Sequence, residues 1–228
     1  MDPKKLLYVQ LARLSKALAS PGRVELLDFL SQGPQTVESL ARLTAMTPAN
    51  ASQHLQVLRR ARLVDSEKRG LFVTYRLAAA PVAAFLVQLR RLGESRLSEL
   101  QVAKATLLAS SGDVESIDRG TLLRRMKAGE AVLLDVRPRA EYDEAHLPSA
   151  ISIPLPELRK RLRELPRNRE IVAYCRGPYC MLSVDAARIL SKQGRRVARL
   201  EDGVSEWREA GLRVVEAGGR TSGEVRTA

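Results

Sequence analysis

Two cysteines, Cys175 and Cys180, are the only thiols in 228 residues, and they bound one short segment, Cys175-Arg176-Gly177-Pro178-Tyr179-Cys180. A thiol acts as a nucleophile in its thiolate form, which is favoured where backbone N–H groups and the positive end of a helix dipole converge on the sulfur. The flanking residues predict that setting. Ile171-Val172-Ala173-Tyr174 is apolar and β-type, and beyond the Gly-Pro-bearing loop Leu182, Ala186, Ile189 and Leu190 share one helical face. A strand that ends in a short loop at a helix start makes Cys175 the candidate nucleophile. Free cysteine is also a common core residue. Against plain core filler, neither cysteine lies on a periodic apolar face, and Arg176 and Gly177 would be odd core neighbours.

The elements that must hold this loop alternate between strand and helix. Asp118 is expected to cap a helix running through Met126, which Gly129 ends; Val132-Leu133-Leu134-Asp135-Val136 reads as a buried strand. A short helix bearing Glu141-Tyr142, a strand at Ala150–Ile153, a helix at Pro156–Leu165, a strand at Val197–Leu200 and a helix at Gly203–Ala210 follow. Such alternation implies a parallel sheet covered on both faces, with the reacting group at the carboxyl ends of its strands, where Cys175 falls.

The first half differs in kind. Residues 1–110 carry sixteen Lys and Arg against eight Asp and Glu and no cysteine, within a chain whose net charge is +12. A basic excess of this kind favours a polyanionic partner. No apolar run is long enough for a membrane span, Met1–Lys5 lacks the features of a signal peptide, and a working thiol needs a reducing compartment, so a cytoplasmic location is expected. Apolar spacing predicts helices at 5–19, 24–30 and 36–43, with Thr36 as a cap, and another at 48–61 behind Thr47-Pro48. The last presents Asn50, Ser52, Gln53, Gln56 and Arg59 opposite Ala51, Leu55 and Leu58, an inventory suited to base edges and phosphates. Residues 63–77 read as a β-hairpin with a basic tip at Lys68-Arg69-Gly70, and 81–109 as a long apolar helix with Gly93 as its weak point.

Ala17-Leu18-Ala19-Ser20-Pro21-Gly22-Arg23, Ser52-Gln53-His54-Leu55-Gln56-Val57-Leu58-Arg59, and Leu63-Val64 leading to Tyr75-Arg76-Leu77 resemble the arsenic-repressor (ArsR/SmtB) family of bacterial regulators. The resemblance implies a mainly α winged helix-turn-helix domain over 1–110 that binds double-stranded DNA as a homodimer. Thr47–Arg60 would be its recognition helix, with Thr47, Asn50, Ser52, Gln53, Gln56 and Arg59 facing DNA and Lys68 and Arg69 gripping the backbone at the wing. Many relatives sense metals through Cys or His on the third or last helix. Neither helix has one here, so no metal or cofactor is expected in this half.

Leu134-Asp135-Val136-Arg137, Glu141-Tyr142, His146-Leu147-Pro148-Ser149-Ala150, Tyr174-Cys175-Arg176 and Glu201-Asp202-Gly203-Val204-Ser205-Glu206-Trp207 resemble the rhodanese (sulfurtransferase) family. That implies an α/β rhodanese-like domain with a central parallel sheet over 115–218, joined through the polar linker Ser110–Asp113 and followed by a flexible tail, 219–228. It also implies that Cys175 takes sulfur from a small sulfane-sulfur donor and passes it to a thiol acceptor. Arg176, Gly177, Pro178 and Tyr179 would form the anion and substrate loop. Related phosphatase loops place an essential Arg six residues past the cysteine; here Met181 stands there. Active sulfurtransferases commonly carry Arg, Lys, Thr or Ser where this chain has Cys180, which is then either a small buried residue or a thiol that resolves a persulfide into a disulfide. Asp135, Arg137, Glu141 and His146 are expected to support the loop. The whole reads as a DNA-binding regulator, expected to repress, that senses or transfers sulfur. Two alternatives stand beside it: a sulfurtransferase dimerised by its winged domain, and a regulator with an inactive rhodanese fold that binds a thiol-reactive ligand.

Overall fold

Caps set where the N-terminal helices begin. In the computed structural model, which describes residues 2–70, 72–109, 114–219 and 221–222 without the side chains of 69, 219, 221 and 222, Asp2 accepts from the Lys4 N–H ahead of α1 (Pro3–Leu18). Pro21 opens α2 (Pro21–Leu30), and Arg23 donates to the carbonyls of Lys16 and Ala17, satisfying oxygens that the end of α1 leaves unpaired. After β1 (Gln35–Thr36), the Thr36 hydroxyl accepts from Ser39 N–H at 3.2 Å to start α3 (Val37–Leu43), and Thr47 does the same for Asn50 at the head of α4 (Pro48–Arg60). Strands β2 (Val64–Arg69) and β3 (Phe72–Leu77) pair antiparallel with Arg69 opposite Phe72. At the end of that register Gly70 takes a positive φ of 60°, which glycine adopts without strain. β1 pairs with the other edge of β3, giving the order β1-β3-β2. Leu26, Leu27, Leu40, Leu55, Leu58 and Val64 are fully buried between helices and wing.

The long helix departs from expectation at its weak point. α5 (Ala80–Arg96) runs straight through Gly93, and the break comes at Leu97, before α6 (Ser98–Ala109). A lone glycine costs a helix only about 1 kcal/mol, too little to end it. Its use here is space: a Cβ on Gly93 would lie 2.9 Å from Leu100 Cδ2, a side chain of α6. The chain divides into two units, 1–88 and 89–228, so the boundary falls inside α5. The expected linker at 110–113 lies outside the described residues.

In the second unit β4 (Glu115–Ile117) leads to α7 (Arg119–Lys127), capped by Asp118, whose carboxylate accepts from Thr121 N–H at 2.7 Å. Then come β5 (Ala131–Asp135), α8 (Arg139–Glu144), β6 (Ala145–His146), β7 (Ile151–Ser152), α9 (Leu158–Arg161) between two 3-10 turns, and β8 (Glu170–Tyr174). α10 (Leu182–Ser191), β9 (Val197–Leu200), α11 (Val204–Glu209), β10 (Val214–Glu216) and β11 (Thr221–Ser222) complete it. The main sheet has the order β4-β9-β8-β5-β7, with every pair parallel. Parallel strands are covered on both sides, and alternate side chains divide between two cores. Val172 and Tyr174 pack with Leu133, Ala198, Leu200 and Trp207, while Ile171, Ala173 and Cys175 pack with Leu134, Ala186 and Leu190. A second sheet, β11-β10-β6, is antiparallel. It holds Thr221 and Ser222 of the tail, while 220 and 223–228 lie outside the described residues.

Candidate functional site

Cys175 follows the last residue of β8, and the loop it opens closes on the first turn of α10. Its side chain is 1% exposed, yet polar groups converge on the sulfur. The Ser183 hydroxyl is 3.1 Å from Sγ, and the Cys180 carbonyl 3.3 Å. Burial works against the thiolate. Hydrogen bonds from the Cys180 thiol, the Ser183 hydroxyl, and the backbone N–H groups of Ser183 and Gly177 outweigh it and bring the Cys175 thiol down to about 6. The Cys180 thiol is pushed up, by its hydrogen bond to Cys175 first and by burial second. The arrangement favours a thiolate at Cys175 and a proton on Cys180, and neither cysteine is in a disulfide.

The loop is clamped from several sides. The Arg176 guanidinium lies against both oxygens of Glu141, at 2.6 to 3.0 Å. Its fork is therefore engaged by a carboxylate, where the sequence reading had it facing an anionic donor. Glu141 thus supports the loop, while Asp135 and Arg137, 2.6 Å apart with neither side chain exposed, form a buried pair that also holds the Ala145 carbonyl. His146 stacks on Tyr142 with ring centroids 3.8 Å apart. Its Nδ1 lies 2.8 Å from the Tyr142 carbonyl, so the ring is held in that stack as a packing element. Gly203 is needed for close approach, since a Cβ there would lie 2.4 Å from the Arg176 carbonyl oxygen. Gly177 has a φ of +147°, a conformation L side chains rarely adopt. Arg199, 1% exposed on β9, donates to the Pro178 carbonyl at 3.2 Å, and its Nε and Nη1 have no hydrogen-bond partner among the described residues. It sets an additional positive charge against the loop.

In the first unit α4 buries Ala51, Leu55 and Leu58 and turns Thr47, Asn50, Gln53 and Arg59 to solvent. Ser52 and Gln56 are half-buried, and the Gln56 amide donates to the hydroxyl of Tyr75 at 3.0 Å. Lys68 is exposed on β2; Arg69 ends that strand, and its side chain lies outside the described residues. Among the described residues no group of three or more His, Cys, Asp or Glu gathers as metal ligands would, and no helix is long and apolar enough to cross a membrane.

The sequence pattern of the arsR family of bacterial regulatory proteins matches residues 20–66, and that of the rhodanese-like domain matches residues 118–210. The HTH-type transcriptional regulator Rv0324 of Mycobacterium tuberculosis is 46% identical over 215 residues, 94% of each chain. The chain belongs to the arsR-type transcriptional regulators that carry a rhodanese-like domain. A sulfurtransferase of Allochromatium vinosum is 36% identical over 104 residues, 45% of this regulator and 95% of that protein. Among solved structures, the homodimeric winged helix-turn-helix DNA-binding domain (fragment 1–100) of Mb0332 from Mycobacterium bovis is similar with 35% identity and a TM-score of 0.41, covering 43% of this chain and 92% of that one.

This regulator gathers Cys175, Cys180 and the backbone of Gly177 at one sulfur. Three contributors lay outside the sequence reading. Ser183 sits two residues into α10, and its place in the first helical turn after the loop was the available signal. Glu206, whose carboxylate accepts from Gly203 N–H at 2.7 Å, stands in the Glu201–Trp207 stretch that carries the rhodanese resemblance, whereas Arg199 has no such signal, because only the sheet order brings it to the loop.

Proposed function

We propose that this DNA-binding regulator responds to sulfane sulfur through Cys175. The observation that carries the reading is the hydrogen-bonded sulfur itself: a thiol brought down to about 6 is ionised at neutral pH, and its neighbour Cys180 is a proton-bearing thiol. With thiosulfate as donor, the Cys175 thiolate attacks the outer sulfur, the S–S bond of thiosulfate breaks, and sulfite leaves with the bonding pair. Cys175 is then a persulfide whose charge sits on the terminal sulfur. Attack by the Cys180 sulfur on Cys175 Sγ forms a disulfide and expels the terminal sulfur as HS⁻, which carries away the Cys180 proton. This needs a reducing compartment to reset it, in keeping with a cytoplasmic regulator.

The DNA-facing side is α4 with Lys68 of the wing, and the assembly is a homodimer. Leu7 and Leu11 on α1, at 66% and 60% exposed, and Leu92 on α5, at 58%, support that assembly, since apolar surface of this extent on helices outside the core favours burial against a second copy. Similarity to a sulfurtransferase favours a second reading, in which Cys175 hands its sulfur to an external thiol and turns over.

Intact-mass measurement before and after thiosulfate or polysulfide tests the proposal. A gain of about 32 Da marks the persulfide and a loss of about 2 Da the disulfide. Both must vanish in Cys175→Ser, and Cys180→Ser must halt at the persulfide. Wild-type protein with no mass change overturns the reading; a persulfide that never becomes a disulfide but drains to added thiols favours turnover.

A further inference from the structure

Five side chains, none of which touches the Cys175 sulfur, meet at the cysteine loop. The Tyr179 hydroxyl donates to the Glu94 carboxylate at 2.8 Å. Lys104 holds the other oxygen of Glu94 at 3.1 Å. The Arg90 guanidinium lies over the Tyr179 ring, 5.6 Å from its centroid, and is hydrogen-bonded to Glu206. The second oxygen of Glu206 accepts from Gly203 N–H and lies where a Cβ on Gly177 would be 3.2 Å away. Arg90 and Glu94 are four residues apart on α5, so one helical face presents a cation and an anion to the loop. All of these residues belong to the second unit. The turns of α5 that precede them bury Ala83, Leu86 and Val87, and Leu86 packs in the core that also holds Leu55 and Leu58 of α4.

We propose that Tyr179 with Glu94, and Arg90 with Glu206, form a clasp that reports the sulfur state of Cys175 to α5. The inference rests on the persulfide and disulfide chemistry above and names its readout. Tyr179 is the residue before Cys180, so the loop cannot move one without the other. When the Cys180 sulfur bonds to Cys175 Sγ and HS⁻ departs, the two sulfurs close to about 2.05 Å, and the Cys180 backbone is drawn toward β8. A tyrosine hydroxyl rides at the end of a rigid ring with two rotatable bonds, so a backbone shift of about 1 Å takes it out of hydrogen-bond range of Glu94. The ring leaves Arg90 with it. α5 then loses its polar anchors at two adjacent turns while its earlier turns stay in their core. The reduced loop holds the end of α5; the disulfide releases it. Tyr179, Glu94 and Arg90 are positioning residues, since none of them touches the reacting sulfur.

Amide hydrogen exchange across Ala80–Arg96 of the full chain, reduced and after polysulfide treatment, tests the clasp, with intact mass recorded on the same samples. Wild-type protein is expected to lose protection at 89–96 by about tenfold when the loss of about 2 Da appears. Tyr179→Phe keeps the ring and removes only the hydroxyl, and Glu94→Gln weakens the same bond from the other side. Both are expected to show the lowered protection already when reduced and no further change on treatment, and Glu94→Gln, which lies outside the loop, is expected to keep the wild-type mass change. Variants that keep the full wild-type difference overturn the clasp and leave the sulfur chemistry standing. Absence of any mass change in wild type overturns the sulfur chemistry, and the clasp with it. A disulfide that forms in wild type without altering exchange at 89–96 overturns the clasp alone.

Discussion

The two functional surfaces of this regulator are built on opposite plans. On α4 most of the side chains proposed to meet DNA, Thr47, Asn50, Gln53 and Arg59, stand in water, and the helix needs only its cap and three buried residues to present them. Around Cys175 the working atom is buried, and its chemistry is set by groups fixed around it: two backbone N–H groups, a hydroxyl, a second thiol, and a loop tied by Arg176 to Glu141. A surface that meets a large charged partner gains from exposed, individually modest contacts. A site that must hold one sulfur as an anion gains from donors fixed in advance, where water cannot compete. Single substitutions should therefore cause gradual losses in the first and abrupt ones in the second.

Four substitutions sharpen that contrast. Arg137→Ala strands the Asp135 carboxylate inside the second unit, and breaking a fully buried pair costs about 3–5 kcal/mol. Thermal or denaturant unfolding should show that loss. Ser183→Ala removes a donor to the thiolate, an interaction of about 1.5–3 kcal/mol for a charged acceptor, and should raise the Cys175 midpoint by about 1–2 pH units. The sign follows from which form is stabilised. The thiolate of wild-type Cys175 is expected to be lost as pH falls through about 6, and that of the variant at a higher pH. The rate of alkylation by iodoacetamide against pH measures this. Arg59→Ala should weaken DNA binding across sequences and lower the slope of log affinity against log salt by about one, with the mass response of Cys175 intact. Thr47→Ala loses the α4 cap and should cost about 1 kcal/mol of stability, seen as a small drop in melting temperature. If Thr47→Ala proved more damaging than Arg137→Ala, the contrast between the two plans would be wrong.

Legibility followed the range of the interactions. Caps were readable because a hydroxyl or carboxylate serves an N–H three residues on, as Thr36, Thr47 and Asp118 do. The parallel sheet was readable from the alternation of strand and helix, and Cys175 from its place between the two. What escaped was long-range pairing of polar groups. Nothing in the spacing ties Arg176 to Glu141, 35 residues away, so its guanidinium read as an open anion site. Gln56 read as a base-reading amide because Tyr75, whose hydroxyl it meets, lies 19 residues on in another strand. Gly93 read as the weak point of one long helix because sequence does not reveal that the Leu100 side chain occupies the space beside it.

The position of the unit boundary inside α5 has a consequence for anyone recombining such proteins. The polar stretch at 110–113 looks like a natural seam between two cassettes. A chimera joined there would graft on a cysteine loop whose tyrosine arrives without Glu94 and whose Glu206 arrives without Arg90. Exchange that keeps the loop with its own helical turns has to splice after Gln88, in mid-helix, where the donor and the host must agree on the phase of the helix as well as on its sequence.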